Sequence, residues 1–284
     1  MSSEIPIKVG VLALQGAFNE HIQLLREAAQ TISLRETESK RKCKFTFSEI
    51  RNQNELATCD ALIIPGGEST AISLVAERCG MLEPLREFVK VSRNPTWGTC
   101  AGLILLAESA NTSSTKLGGQ SLIGGLDVRV NRNHFGRQTE SFQANLILPF
   151  LSPSNSSEKG QVEDVKEIKQ KPFRAIFIRA PIVEKILQPV KGIQAQEASK
   201  ENTIVAPSKE MAPEIASRFT VEEVEVLGRL SRGKEGEQEE GEIIAVRQGN
   251  CFGTSFHPEL TGDERIHVWW LEGVVRDVVR RRGL

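Results

Sequence analysis

Residues 97–102 read Trp97-Gly98-Thr99-Cys100-Ala101-Gly102, a cysteine with a glycine two positions away on either side. Thr96 to Thr99 has the character of a short strand, and Leu103 to Glu108 that of an apolar helix, so the motif falls where a strand turns directly into a helix. Such a turn lifts its central side chain clear of the chain, and the flanking glycines supply clearance that a larger residue would block. Cys100 is therefore expected above the carboxyl edge of a sheet, its thiolate favoured by the helix N-terminus. Taken alone, the motif also fits a buried structural cysteine between two packing glycines.

The rest of the first half repeats the same unit. Ile7 to Leu14 is an apolar, β-branched run that ends at Gln15-Gly16 and precedes helical spacing over Phe18 to Ala29. Strand character returns at Lys44 to Ile50 and at Asp60 to Ile64, the latter stopped by Pro65-Gly66-Gly67 and followed by helical spacing over Ser69 to Arg78. Strands alternating with helices predict an α/β fold, a mostly parallel central sheet flanked by helices. The second half has strand-like runs at Leu122 to Val130, Phe142 to Leu148, Ala175 to Ile178, Glu242 to Arg247 and Cys251 to Ser255, which should continue the sheet with mixed or antiparallel strands. A closing helix is predicted over Asp263 to Arg281, with Trp269, Trp270, Val274, Val275 and Val278 on its apolar side.

One domain over residues 1–284 suits this length. Polar stretches at 31–43, 110–120, 152–171 and 188–241 are expected as surface insertions on it, and the last of them ends in a Gly- and Glu-rich run whose composition favours a disordered loop. A net charge of −1 with 26% charged residues carries no nucleic-acid footprint, which leaves small molecules or another protein as partners. A basic leader followed by an apolar run is missing, as is any apolar stretch of membrane-spanning length, so a soluble, cytoplasmic protein with no membrane association is expected. The five cysteines are irregularly spaced and read as free thiols, not as a disulfide framework or metal-ligand pairs. No metal and no cofactor are expected on the chain. Tyrosine is absent, which removes one candidate general acid.

A nucleophilic thiol needs a base, and the base an orienting group. Ser255-Phe256-His257-Pro258-Glu259-Leu260 supplies both at a strand end: in extended geometry His257 and Glu259 would point to one side, with the carboxylate holding the imidazole toward Cys100. By itself this segment reads as a surface turn opened by His-Pro. His21, His134 and His267 lack such a neighbour and are expected on helix faces or in loops. Donors for an oxyanion are available in the Gly66 and Gly67 backbone, placed at the same sheet edge, and in the Ala101 N–H.

Leu14-Gln15-Gly16, Pro65 to Thr70 (PGGEST), Gly98 to Leu103 (GTCAGL), the run Arg132 to Gln138 (RNHFGRQ), Phe177 to Pro181 (FIRAP) and Ser255 to Leu260 (SFHPEL) together resemble class I glutamine amidotransferases. More narrowly they resemble the glutaminase subunit of pyridoxal 5'-phosphate synthase. The resemblance implies that Cys100 forms a glutamyl thioester and that His257 and Glu259 complete a triad. It further implies that L-glutamine is bound through Gly66, Gly67, Glu68, Arg132, Ile178 and Arg179, and that Gln15 lies near the oxyanion hole and the interface with a synthase subunit. Guanidinium groups suit the carboxylate of a free amino acid, although outside the resemblance Arg132 and Arg179 would read as solvated surface residues. An amidotransferase serving a different synthase, and a binding subunit without catalysis, are the competing expectations.

Overall fold

Residues 4–35, 42–112, 120–132, 134, 141–152, 171–188, 193–210, 222–231 and 241–284 are described by the structure, a computed structural model. Strands β1 (Ile5–Leu12), β2 (Cys43–Ile50), β3 (Ala61–Ile64) and β4 (Thr96–Thr99) alternate with helices α1 (Phe18–Arg35), α2 (Gln53–Leu56), α3 (Ser69–Arg78) and α4 (Leu82–Arg86), and α5 (Ala101–Leu106) follows β4 directly. In β3 the pleat sends Ala61 and Ile63 into one core and Leu62 and Ile64 into the other. A strand buried on both faces must be apolar throughout, which is why this one reads as an unbroken run.

The chain continues through β5 (Ala107–Asn111), β6 (Leu126–Asn131), β7 (Ser141–Leu146), β8 (Phe173–Ile178), β9 (Ile182–Ile186), α6 (Ile193–Ala198), β10 (Thr203–Val205), β11 (Glu225–Leu230), β12 (Glu242–Gln248), β13 (Cys251–Thr254) and α7 (Arg265–Arg282). The main sheet runs β10-β5-β6-β9-β12-β13-β4-β3-β1-β2, with β11 paired to β12. Its block β13-β4-β3-β1-β2 is parallel throughout, and the far side is mixed, with β5 and β6 parallel and the other neighbours antiparallel, in line with the mixed or antiparallel strands expected from the second half of the sequence. Helices α1 and α7 pack together over one face. Their apolar stripes, Ile22, Leu25 and Ile32 on α1 and Ile266, Trp270, Leu271 and Val274 on α7, close the first core. Residues of α3 and α5 cover the other face in the second core.

Several expectations are corrected. β7 and β8 do not continue the main sheet; they pair with each other as a separate two-stranded sheet. The helix expected through Glu108 ends at Leu106, because the Leu105 carbonyl accepts the N–H groups of Ile123 (2.8 Å) and Gly124 (3.0 Å), and the chain leaves as β5. Glu108 there forms a buried ion pair with Lys90 at 2.7 Å. The strand expected from Leu122 begins at Leu126, after Gly124 and Gly125 at positive φ. Thr31 to Arg35, at the head of the stretch 31–43, prolongs α1; residues 36–41 lie outside the described residues, as do 113–119 and 153–170 of the next two stretches. Within 188–241, β10 and β11 are strands of the main sheet and Ala206 is fully buried, because the short apolar pieces of that stretch find partners in β5 and β12. Residues 189–192, 211–221 and 232–240 of it lie outside the described residues.

Candidate active site

Cys100 joins β4 to α5 with φ 48° and ψ −100°, a left-handed φ that costs a non-glycine residue about 1–3 kcal/mol. Its surroundings enforce the turn. The Cys100 N–H donates to the Thr254 carbonyl of β13 at 2.8 Å. A Cβ on Gly98 would stand 2.4 Å from the Gly102 carbonyl carbon, and one on Gly102 would stand 2.0 Å from the Ile64 carbonyl oxygen, so both glycines of the motif are required by close backbone approach. The cysteine itself is 5% exposed, its thiol 3.9 Å from the Ile178 carbonyl oxygen. Ala101 opens α5, so its N–H has no acceptor within its own helix.

His257 leaves β13 with its N–H bonded to Ile176 of β8 at 2.8 Å, and its Nδ1 lies 2.7 Å from Glu259 Oε1. The segment is not extended as expected. Pro258–Leu260 is a 3-10 turn, which brings the two side chains together by folding back. Burial acts to lower the His257 pKa, but hydrogen bonds to Cys100 and to Glu259 outweigh it, and the pKa is raised to about 10. With Nδ1 on Glu259, Nε2 is the nitrogen left for Cys100.

Gly66 presses against this imidazole: a Cβ there would meet His257 Cε1 at 2.3 Å. Its carbonyl accepts the Ala17 N–H at 3.1 Å, and because a trans peptide sets C=O and N–H opposite, the Gly67 N–H is turned away from Ala17. Gln15 supports the same loop, its Oε1 accepting the Glu68 N–H at 2.9 Å and leaving no room for a Cβ on Gly67. The Glu68 carboxylate caps α3, accepting from the N–H groups of Thr70 (3.0 Å) and Ala71 (2.8 Å).

Arg132 is not on the solvated surface. It is 9% exposed, donates from Nη2 to Ser69 Oγ (3.1 Å) and Thr70 Oγ1 (3.0 Å), and lies 3.9 Å from Glu68. Its Nε is buried with no partner among the described residues. Burial lowers its pKa, opposed by the Glu68 carboxylate. Gln120, which no motif marks, accepts from both hydroxyls that Arg132 contacts, at 3.3 and 3.4 Å. Ile178 ends β8 with its carbonyl beside the thiol, and Arg179 follows it, exposed and at φ 47°.

Two of the histidines expected on helix faces or in loops lie on helices, α1 and α7, and both are fully buried. His21 of α1 has Nδ1 3.0 Å from His267 Nε2 of α7, while its Nε2 lies 3.2 Å from Thr99 Oγ1 and 3.4 Å from Glu259 Oε2. Both rings pack edge-on to Trp97. Only the apolar residues around them hint at burial in the sequence, and nothing there pairs α1 with α7. His134 sits in a turn and contacts Glu242. A cavity of about 260 Å³ lined by Pro95, Asn250 and Trp269 opens at the amino ends of β4 and β13, away from Cys100, His257 and Glu259, none of which lines it.

A thiol on a strained strand-to-helix elbow, with imidazole and carboxylate at the same edge of an α/β sheet, is an arrangement shared by enzymes that transfer acyl groups through a nucleophilic side chain. The profile of the SNO glutamine amidotransferase family matches residues 11–222 and 211–276. The chain belongs to that family. It is 39% identical over 265 residues to a probable pyridoxal 5'-phosphate synthase subunit PDX2 of Arabidopsis thaliana, covering 93% of this chain and 84% of that protein. It is 37% identical over 272 residues to pyridoxal 5'-phosphate synthase subunit PdxT of Streptomyces avermitilis, covering 96% and 94%. A crystal structure of a glutamine amidotransferase superposes with a TM-score of 0.57 at 31% identity, over 94% of this chain and 98% of the other.

Proposed function

We propose that the chain hydrolyses L-glutamine to L-glutamate and ammonia as the glutaminase subunit of a pyridoxal 5'-phosphate synthase, handing the ammonia to a synthase subunit. The observation that carries the chemistry is Cys100 at the apex of a positive-φ elbow, with the nearby His257 imidazole resting its Nδ1 on Glu259. Cys100 sulfur attacks the carboxamide carbon, and the oxyanion is met by the Ala101 N–H and the N–H of the Gly66-Gly67 loop. His257 gives its proton to the departing ammonia, leaving a thioester. Water, deprotonated by His257, then attacks that thioester, releasing glutamate and returning the sulfur. Glu259 keeps the imidazole oriented and compensates its charge.

Arg132 and Arg179 bind the carboxylate of the amino acid. Gly66, Gly67, Glu68 and Ile178 shape the pocket, and Glu68 acts there through its main chain because its carboxylate caps α3. Gln15 and the glycine loop face the synthase subunit, whose docking sets the loop for the oxyanion. Among the described residues no helix is long and apolar enough to cross a membrane, and the five cysteines are free, which supports a reducing, cytoplasmic setting.

Glutamate release from glutamine, with and without an added synthase subunit, tests the reading, with Cys100→Ala as control. Partner-stimulated release that the variant loses is expected. Equal rates with and without the partner would sink the docking step, and release by Cys100→Ala would sink the nucleophile.

A further inference from the structure

We propose that His21 is a positioning residue for Glu259: a neutral imidazole, anchored by His267, that presents its Nε2–H to the carboxylate oxygen His257 does not use. The proposal rests on the assignment of Cys100, His257 and Glu259 as the reacting group. Four buried side chains from three parts of the fold meet here. His257 and Glu259 come from the turn after β13, His21 from α1 and His267 from α7.

Glu259 Oε1 is taken by His257 at 2.7 Å. Its Oε2 is buried and forms no hydrogen bond among the described residues; the polar group it faces is His21 Nε2 at 3.4 Å. An ionised carboxylate with one oxygen unsolvated needs a positive dipole there. That requirement fixes the tautomer. With Glu259 ionised, His21 carries its proton on Nε2, shared between Glu259 Oε2 and Thr99 Oγ1. Its Nδ1 is then a lone pair, and the 3.0 Å contact with His267 requires that His267 Nε2–H donate to it. His267 Nδ1 is left as a second lone pair, buried with no partner among the described residues. A proton on that atom would be an unpaired buried N–H, so geometry keeps His267 neutral as well.

The charged and titratable groups facing this chain agree. Burial pushes both pKa values down, that of His267 to about 3 against the opposing pull of Asp263, and that of His21 further depressed by His267 and His257. Trp97 closes the space beside both rings. A charged His21 would compete with His257 for Glu259, whereas a neutral one orients the carboxylate and leaves its charge to the imidazolium beside Cys100.

The test combines two variants with a measurement on the unaltered chain, in complex with the synthase subunit for kinetics. In His21→Leu the inner oxygen faces hydrocarbon, Glu259 becomes harder to ionise, and kcat falls about tenfold or more with KM for glutamine nearly unchanged. The acid limb of the pH profile of kcat moves to higher pH. His21→Gln returns an N–H to the Nε2 position and restores the limb. A loss of activity with an unmoved acid limb, or equal loss in Leu and Gln variants that both fold, would overturn the proposal in favour of plain packing. Should the leucine variant not fold, ¹⁵N spectra of the labelled chain still decide: His21 must be neutral at pH 6 with its proton on Nε2, and a proton on Nδ1 or an imidazolium refutes it. Loss of glutaminase activity in Cys100→Ala tests the underlying assignment separately.

Discussion

His257 Nδ1 and Glu259 Oε1 lie 2.7 Å apart with one proline between them, because that proline opens a 3-10 turn that folds the carboxylate back onto the imidazole. The base and orienting group of the proposed triad are thus supplied by a single short segment. They need only one alignment, with Cys100, to make a reacting group.

Glu259→Gln removes the charge while keeping the shape. The drop in kcat for glutamine hydrolysis should be about 10⁴-fold, the order found when a triad aspartate is replaced by its amide. The same change should bring the His257 pKa down from about 10. An NMR titration of His257 that still ends near its starting value would mean that Glu259 does not set its basicity.

Gly102→Ala places a methyl group 2.0 Å from the Ile64 carbonyl oxygen, where backbone must move to admit it. About 3 kcal/mol of destabilisation is expected by chemical denaturation. Gly80→Ala meets nothing within 4 Å and carries only the strain of φ 70°, about 1 kcal/mol. Equal costs at the two positions would show that the elbow is not sterically enforced.

Arg132→Met should raise KM for glutamine by about tenfold or more with a smaller effect on kcat, since a lost carboxylate contact is made in both ground and transition states. Arg132→Lys should rescue little, because a single ammonium held by the hydroxyls of Ser69 and Thr70, as Nη2 is here, has no second nitrogen in plane to grip a carboxylate bidentately. Steady-state kinetics at saturating synthase subunit separate the two parameters, and an unchanged KM in both variants would remove Arg132 from the glutamine site.

Stability should fall on acidification from about pH 6.5 toward 3. The pKa of His267 is lowered to about 3 in the folded chain. The unfolded chain therefore binds the extra proton throughout that window, and the stability due to neutral His267 is present above about 6.5 and lost below it. His21, also lowered, adds to the same limb. His257 acts with the opposite sign: its raised pKa contributes stability that is full below about 6.5 and lost as pH rises through about 10. His267→Leu should flatten the acid slope in urea titrations, and an unchanged slope would place the proton uptake elsewhere.

The elbow was legible because its demands are short in range: Gly98 and Gly102 clear backbone that lies within a few residues of Cys100 or on the adjoining strand. The alternating strands were legible because β3 must be apolar on both faces. The edges of elements were less so. Nothing local in Leu103 to Glu108 says that Leu105 will surrender its carbonyl to Ile123 and Gly124 and end the helix early.

Sequence by itself determined the nucleophile's turn and the placing of His257 two residues from Glu259, both of which rest on covalent neighbours and backbone sterics. Tertiary structure alone decided that Arg132 is buried against Ser69 and Thr70, that β10 and β11 enter the sheet, and that His21 and His267, 246 residues apart, share one contact behind Glu259. The physical reason is that the protonation and reach of a polar side chain are set by what excludes water from it, and here that shell is assembled from helices at opposite ends of the chain.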